Sequence, residues 1–194
     1  MPKKVIILLA EGFEEVEAVT PIDYLRRAGL EVTTAGIGAN RTVTGSHGIQ
    51  VIADKTLGEL AKAGKTTAAD WDAVLIPGGL PGATNLAADK ETGALLKKMA
   101  AAGKTVAAIC ASPAVVLAPL GILADKRFTC YPGMEKTVTG AHWSEDRVVI
   151  DTGDAGGSII TSRGAGTAAG FAIAVIGKLL DEAEGKKIAA SVLL

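Results

Sequence analysis

Cys110 is the residue with the most chemistry to offer. It ends the apolar run Thr105–Ile109 and is followed by Ala111-Ser112-Pro113. Small neighbours permit a sharp turn, and a proline suits the first turn of a helix. The segment therefore has the layout of a nucleophile elbow, without the flanking glycines usual in that motif. A helix starting beside the sulfur is expected to favour the thiolate, the form that attacks electrophiles. Against this stands the ordinary fate of a free cysteine, which is burial as a small hydrophobe. The local pattern leaves both open.

Two further features belong with it. In Pro77-Gly78-Gly79-Leu80-Pro81-Gly82, glycines without Cβ let backbone N–H groups approach a ligand, as an oxyanion hole requires. No Gly-Lys-Ser/Thr follows, so this is not a Walker loop; an ordinary glycine-rich turn is the alternative. The second is the acidic turn that holds Glu14, Glu15 and Glu17. One of the three carboxyls could point back towards Cys110, the others being solvated helix-start charges, and periodicity does not choose among them.

Other candidates offer less. Gly164-Ala165-Gly166-Thr167-Ala168-Ala169 imitates a dinucleotide fingerprint, but no strand follows to complete a βαβ unit, so it reads as close helix–strand packing. His47 and His142 read as surface or hydrogen-bonded loop residues rather than ligands. Cys130 is followed by Tyr131-Pro132 rather than a small-residue turn, and reads as a packed or secondary redox cysteine. With two cysteines, no CxxC and two histidines, neither a structural disulfide nor a zinc cluster is expected.

The elements that must position these residues alternate along the chain. Strands are expected at Lys4–Leu9, Leu30–Gly36, Asp72–Ile76, Thr105–Ile109, Arg127–Cys130, Arg147–Asp151 and Ser158–Thr161, with a hairpin excursion over Thr42–Ile52. Helices are expected at Glu14–Ala28, Leu57–Ala63, 89–102, Pro113–Leu120 and Thr167–Glu184, the last stopped by Gly185 and followed by a shorter one. Clustered glutamates at the start of the first helix and Arg26-Arg27 at its end suit its dipole. Continuous apolar strands between helices indicate an α/β fold with a mostly parallel sheet covered on both faces. Ligands of such sheets gather at the carboxyl ends of the strands, which is where Cys110, the glycine loop and the acidic turn fall.

Composition bounds the rest. The 194 residues suit one domain spanning 1–194, and 48% hydrophobic with 21% charged residues is a globular balance. A net charge of −1, from 20 basic and 21 acidic side chains, gives no electrostatic case for nucleic acid or a membrane surface. Met1-Pro2-Lys3-Lys4 before Val5–Leu9 imitates a signal peptide, but glutamates follow at once and no small-residue cleavage site appears. The run from Ala168 to Ile176 is well short of the about 20 residues that span a bilayer. A cytoplasmic location is the default expectation.

Four segments also match a known pattern in order and spacing. They are Leu8 to Glu17, Leu75-Ile76-Pro77-Gly78-Gly79, Ala107-Ala108-Ile109-Cys110-Ala111 and Thr161-Ser162-Arg163-Gly164. Together they resemble the DJ/ThiJ/PfpI superfamily, in the branch of the Parkinson-linked protein deglycase and bacterial ThiJ-like proteins, across essentially the whole chain. The resemblance implies a flavodoxin-like three-layer sandwich, a homodimer, and neither metal nor organic cofactor. It assigns Cys110 as nucleophile and Glu17 as the acid that hydrogen-bonds its sulfur. Gly78 and Gly79, with the Ala111 N–H, form the anion pocket, and Tyr131 and Arg163 lie near it.

Departures narrow the chemistry. The PfpI protease branch places a His directly after the cysteine, where this chain has Ala111. Class I glutamine amidotransferases need a later His and Glu pair, and His142-Trp143-Ser144 lacks the Glu two residues on. Tyr131 stands where animal relatives carry a His, and a tyrosine is a poor base near neutral pH. The implied function is cofactor-independent detoxification of reactive carbonyls, of the glyoxalase or deglycase type, acting on small carbonyls or glycated adducts. The alternative is an oxidative-stress sensor or redox-regulated chaperone working through oxidation of Cys110.

Overall fold

The computed structural model describes residues 1–153 and 157–194. In chain order the elements are β1 (Lys4–Leu9), α1 (Glu15–Arg27), β2 (Glu31–Gly36), β3 (Thr42–Thr44), β4 (Gln50–Ile52), β5 (Lys55–Thr56), α2 (Leu57–Lys62) and β6 (Ala73–Ile76). There follow α3 (Gly82–Ala88), α4 (Lys90–Ala101), β7 (Thr105–Ile109), β8 (Arg127–Phe128), β9 (His142–Trp143), β10 (Val148–Thr152), β11 (Ser158–Ser162), α5 (Ala168–Leu179) and α6 (Glu182–Ser191).

Seven strands form the central sheet in the order β10-β11-β7-β6-β1-β2-β5. All pair in parallel except β10, an antiparallel edge strand. Its two faces are covered separately. In β1, Ile6 and Leu8 pack on the side of α2, α3 and α4, while Val5, Ile7 and Leu9 pack on the side of α1, α5 and α6. This is why the inner strands read as unbroken apolar runs: each neighbouring pair of residues is buried, but in opposite layers. The three-layer α/β sandwich expected from the sequence is the one formed. From β1 the chain proceeds to β2 on one side and to β6, β7 and β11 on the other. The direction of winding thus changes beside β1, and the carboxyl ends of the strands at such a switch point are where ligands of these sheets bind.

Several boundaries differ from the sequence reading. The long last helix is two helices, since α5 ends at Leu179 and Asp181 caps α6 by accepting the Glu184 N–H at 2.9 Å. Gly185 lies inside α6 rather than stopping a helix, facing Ile173 where α6 packs on α5. The strand expected at Arg127–Cys130 shrinks to β8, which leaves the main sheet to pair with β9. Pro113–Leu117 is a single five-residue π-type turn, not a helix reaching Leu120. Helix α3, which the glycine-rich sequence concealed, follows the Gly78–Gly82 loop. Among the described residues no helix is long and apolar enough to cross a membrane.

Candidate active site

Strands β1, β6 and β7 lie side by side in parallel, so the loops beyond them meet at one edge. After β7 the backbone of Cys110 turns into the left-handed region, with φ of 64°. A side chain there costs about 1–2 kcal/mol. The surroundings hold it: the Cys110 N–H donates to Ser162 O at 2.9 Å, and its carbonyl accepts the Tyr131 N–H at 2.8 Å. Buried Ser112 ties the elbow to the glycine loop by donating its hydroxyl to Pro77 O at 2.6 Å.

Gly78 lets the three loops close on one another. A Cβ at that position would lie 2.6 Å from Cys110 Cβ and 2.8 Å from Glu17 Oε2. Its N–H donates to Glu17 Oε2 at 2.8 Å. Gly79, with φ of 84°, and Ala111 direct their N–H groups to the sulfur instead. The donors facing Cys110 are therefore those of Gly79 and Ala111, while Gly78 serves the carboxyl.

Glu17 reaches the sulfur from the first turn of α1. Glu14 stands before the helix as its cap, its carboxylate accepting the Glu17 N–H at 2.7 Å. Glu17 is only 2% exposed and is hydrogen-bonded to the Cys110 thiol. Burial pushes its pKa up to about 7, against the pull of the bonds from Cys110 and Gly78. Burial and the adjacent Glu17 carboxylate push the thiol up to about 12, with the Gly79 and Ala111 N–H groups opposing. The element after the elbow is one short turn rather than a helix, so burial and the carboxylate beside the sulfur, not a helix dipole, set the charge there. The two groups titrate as a pair. Above about pH 7 they hold one proton between them, and placing it on Glu17 leaves the thiolate.

The remaining candidates sort around this dyad. A Cβ on Gly164 would lie 3.7 Å from Tyr131 Cδ2 and 3.9 Å from Glu17 Oε1, so the tyrosine ring and the carboxyl flank that glycine. Tyr131 is 52% exposed, which places it at the mouth of the site. Arg163 donates to the Glu145 carbonyl at 2.9 Å and draws down the thiol of Cys130. Cys130 is fully buried, and burial with nearby Glu135 pushes its thiol up to about 11. It is a packed cysteine.

Glu15, expected among the solvated charges, is buried at 5% exposure and bonded to His47. Glu14, Glu15 and His47 bring ligand atoms within 4.8 Å of one another. The Glu14 and Glu15 carboxylates already accept hydrogen bonds, His47 is bonded to Glu15, and the positive end of α1 disfavours a cation there.

The DJ-1/PfpI family model matches residues 3–178. The chain belongs to the DJ-1/PfpI family. Among family relatives, zebrafish (Danio rerio) Parkinson disease protein 7 homolog is 38% identical over 193 residues, covering 98% of this chain and 94% of the relative. Arabidopsis thaliana DJ-1 homolog B is 36% identical over 98% of this chain, which spans only 41% of that protein's length. The Caenorhabditis elegans glutathione-independent glyoxalase DJR-1.2 is 36% identical, over 88% of this chain and 85% of the relative. The structure of oxidized Toxoplasma gondii DJ-1 superposes with a TM-score of 0.90 at 38% identity, covering 98% of each chain. The flavodoxin-like architecture is therefore that of the DJ-1/PfpI family.

Ser112 was not singled out for the site, and Glu15 stood only as one of three carboxyls that could face Cys110. A serine two residues after a cysteine carries no distinctive signal. Glu15 is indicated only by distant features, the bare Gly45 and His47 of the turn that receives it.

Proposed function

We propose that the protein converts small reactive dicarbonyls such as methylglyoxal into hydroxy acids without an organic cofactor or glutathione. The observation that carries this is the buried Glu17 carboxyl set beside the Cys110 side chain across Gly78, with the Gly79 and Ala111 N–H groups acting on the sulfur. As Cys110 attacks the aldehyde carbon, Glu17 takes the thiol proton and returns it to the carbonyl oxygen, giving a hemithioacetal. Glu17 carboxylate then removes the proton from that carbon and delivers it to the neighbouring carbonyl carbon through an enediol. The product is a thioester, which water hydrolyses to lactate and free thiol. No external oxidant or reductant enters, since one carbon is oxidised as its neighbour is reduced. The two backbone donors offset the negative charge that develops on oxygen. A relative named as a glutathione-independent glyoxalase supports the same reading.

The test measures lactate from methylglyoxal without glutathione for wild type, Cys110→Ala and Glu17→Gln. Both variants are expected to lose turnover; unchanged turnover in Cys110→Ala sinks the proposal. As the proposal has it, the enzyme is a single-domain homodimer, acting in the cytoplasm.

The resemblance to a structure described as oxidized favours a second reading, redox sensing. Peroxide would convert the thiolate to a sulfenic and then a sulfinic acid, and a protonated Glu17 would hydrogen-bond the product. Intact mass after mild peroxide should show two added oxygens mapping to Cys110; oxidation confined to Cys130 refutes it.

A further inference from the structure

The first turn of α1 is gripped from the side away from the dyad. Glu15 Oε1 accepts the backbone N–H groups of His47 at 2.7 Å and Ile49 at 3.3 Å. Glu15 Oε2 accepts from Ser46 Oγ at 3.4 Å and pairs with His47 Nδ1 at 2.9 Å. Gly45 is bare on this side because a Cβ there would overlap the Glu15 carboxyl. The backbone continues the grip: the Gly12 N–H donates to Thr44 O at 2.8 Å, and the Ser46 N–H to Phe13 O at 2.7 Å.

The same short segment is bonded on its other side to the glycine loop. The Glu14 N–H donates to Gly78 O at 3.0 Å, and the Gly82 N–H to Gly12 O at 3.1 Å. A Cβ on Gly79 would lie 2.5 Å from the Glu14 nitrogen, so loop and helix start are in direct contact. Residues 12–15 are thus a spacer between the 45–49 turn and the loop that carries the Gly78 and Gly79 donors. Residues two apart on a helix point about 200° from one another. Glu15 accordingly reaches the turn while Glu17 reaches the sulfur.

We propose that Glu15 is a positioning residue, which through its clamp on the 45–49 turn sets the depth at which Glu17 and the Gly79 N–H meet Cys110. It touches neither the sulfur nor the Glu17 carboxyl; it acts through the spacer. The proposal rests on the reading that Cys110 and Glu17 work as a pair. Burial opposes the charge on Glu15, but the bonds from His47 and Ile49 outweigh it and hold its pKa near about 2. Glu15 therefore stays ionised over the range in which the dyad titrates, while its partner His47, whose pKa Glu15 raises, loses its charge above its ordinary range. The Glu15→Gln variant, which also removes that ion pair, separates the charge of the clamp from the geometry of the dyad.

The experiment follows the rate of Cys110 alkylation by iodoacetamide against pH, with turnover of methylglyoxal alongside, in wild type, Glu15→Ala, Glu15→Gln and Gly45→Ala. Glu15→Ala should displace the alkylation midpoint by about half a pH unit or more. It should also lower kcat by on the order of tenfold to a hundredfold, with a smaller change in KM, as a misplacement approaching an ångström does. Glu15→Gln keeps an acceptor for the two backbone N–H groups and should return both readouts close to wild type. Gly45→Ala, which pushes on the carboxyl without removing it, should move them in the direction of Glu15→Ala and serves if that variant does not fold. A folded Glu15→Ala with an unmoved profile and kcat, and only a lower Tm, overturns the proposal. So does an equal effect of Ala and Gln, which would assign the change to lost charge. A displaced alkylation profile in a protein whose wild type forms no lactate leaves positioning intact and removes the carbonyl reading alone.

Discussion

Replacing Glu17 by Gln separates the cost of burying a carboxyl from the chemistry it performs. The group is almost wholly enclosed, and burial raises its pKa from 4.5 to about 7. At about 1.4 kcal/mol per pH unit, that displacement weakens the fold by about 3 kcal/mol once Glu17 is ionised. Below pH 4.5 the carboxyl is protonated in folded and unfolded chains alike and changes nothing. Between 4.5 and 7 the unfolded chain releases the proton while the folded chain keeps it, so stability falls as pH rises. Above 7 the whole loss is present.

A glutamine stays neutral throughout, and its carbonyl can accept the Gly78 N–H that Glu17 holds at 2.8 Å. Urea denaturation of both proteins at pH 5 and pH 8 measures the difference. The advantage of Glu17→Gln over wild type should be larger at pH 8 than at pH 5 by about 2–3 kcal/mol. Groups not coupled to Glu17, Glu15 among them, cancel when the proteins are compared at one pH. Cys110 is coupled, and losing the carboxylate beside it eases its ionisation in the folded variant, which acts in the same direction. An advantage that is the same at both pH values would show that Glu17 ionises as easily in the fold as out of it, and the argument from burial would fail.

Three further outcomes follow from the same geometry. Cys110→Gly and Cys110→Ala should both be silent in lactate formation, yet the glycine variant should be more stable by about 1 kcal/mol, because only the alanine retains a side chain at φ of 64°; equal denaturation midpoints would contradict this. Ser112→Ala should cost about 1–2 kcal/mol in urea denaturation by leaving the buried Pro77 carbonyl without its donor, and should lower turnover by loosening the Gly78–Gly79 loop; unchanged values of both would refute it. Turnover at saturating methylglyoxal should rise as pH passes about 7, where Glu17 becomes able to accept the thiol proton, and a flat profile in wild type would count against that role.

What the sequence could show depended on how local the cause was. Strands β1, β6 and β7 were legible because burial on both faces forces continuous apolar runs, and Cys110 because it ends such a run before small residues and a proline. The choice of Glu17 was not local. Three carboxylates fall within four residues, and which one faces the sheet edge depends on where the helix begins. Glu14 is extended, with φ of −83° and ψ of 125°, so α1 starts at Glu15 and Glu17 turns inward. A start one residue earlier or later would rotate the set by about 100°. The four-motif resemblance supplied what periodicity lacked. Glu15 was misread because its partners lie more than 30 residues away, in a turn whose only signals are a missing side chain at Gly45 and a histidine. The surroundings of the thiol were hidden for a related reason: a proline after small residues announces a helix, but one π-type turn formed, and a carboxylate from another element lies beside the sulfur.

That carboxylate also gives the two readings of Cys110 a common basis. Turnover asks Glu17 to be ionised, so that it can take the thiol proton and then the proton on carbon. Preserving a sulfinic acid asks it to be protonated, so that it can donate a hydrogen bond to the oxidised sulfur. A carboxyl of ordinary pKa would serve the first use alone near neutrality. One raised to about 7 is half in each form there, and Glu17→Gln separates them. Glutamine can donate a hydrogen bond but cannot move a proton between carbons. It should abolish lactate formation while still allowing the sulfinic product to accumulate on Cys110 under mild peroxide. Loss of both would mean that ionised Glu17 is needed even to generate the thiolate that peroxide attacks, which would refute the division of roles.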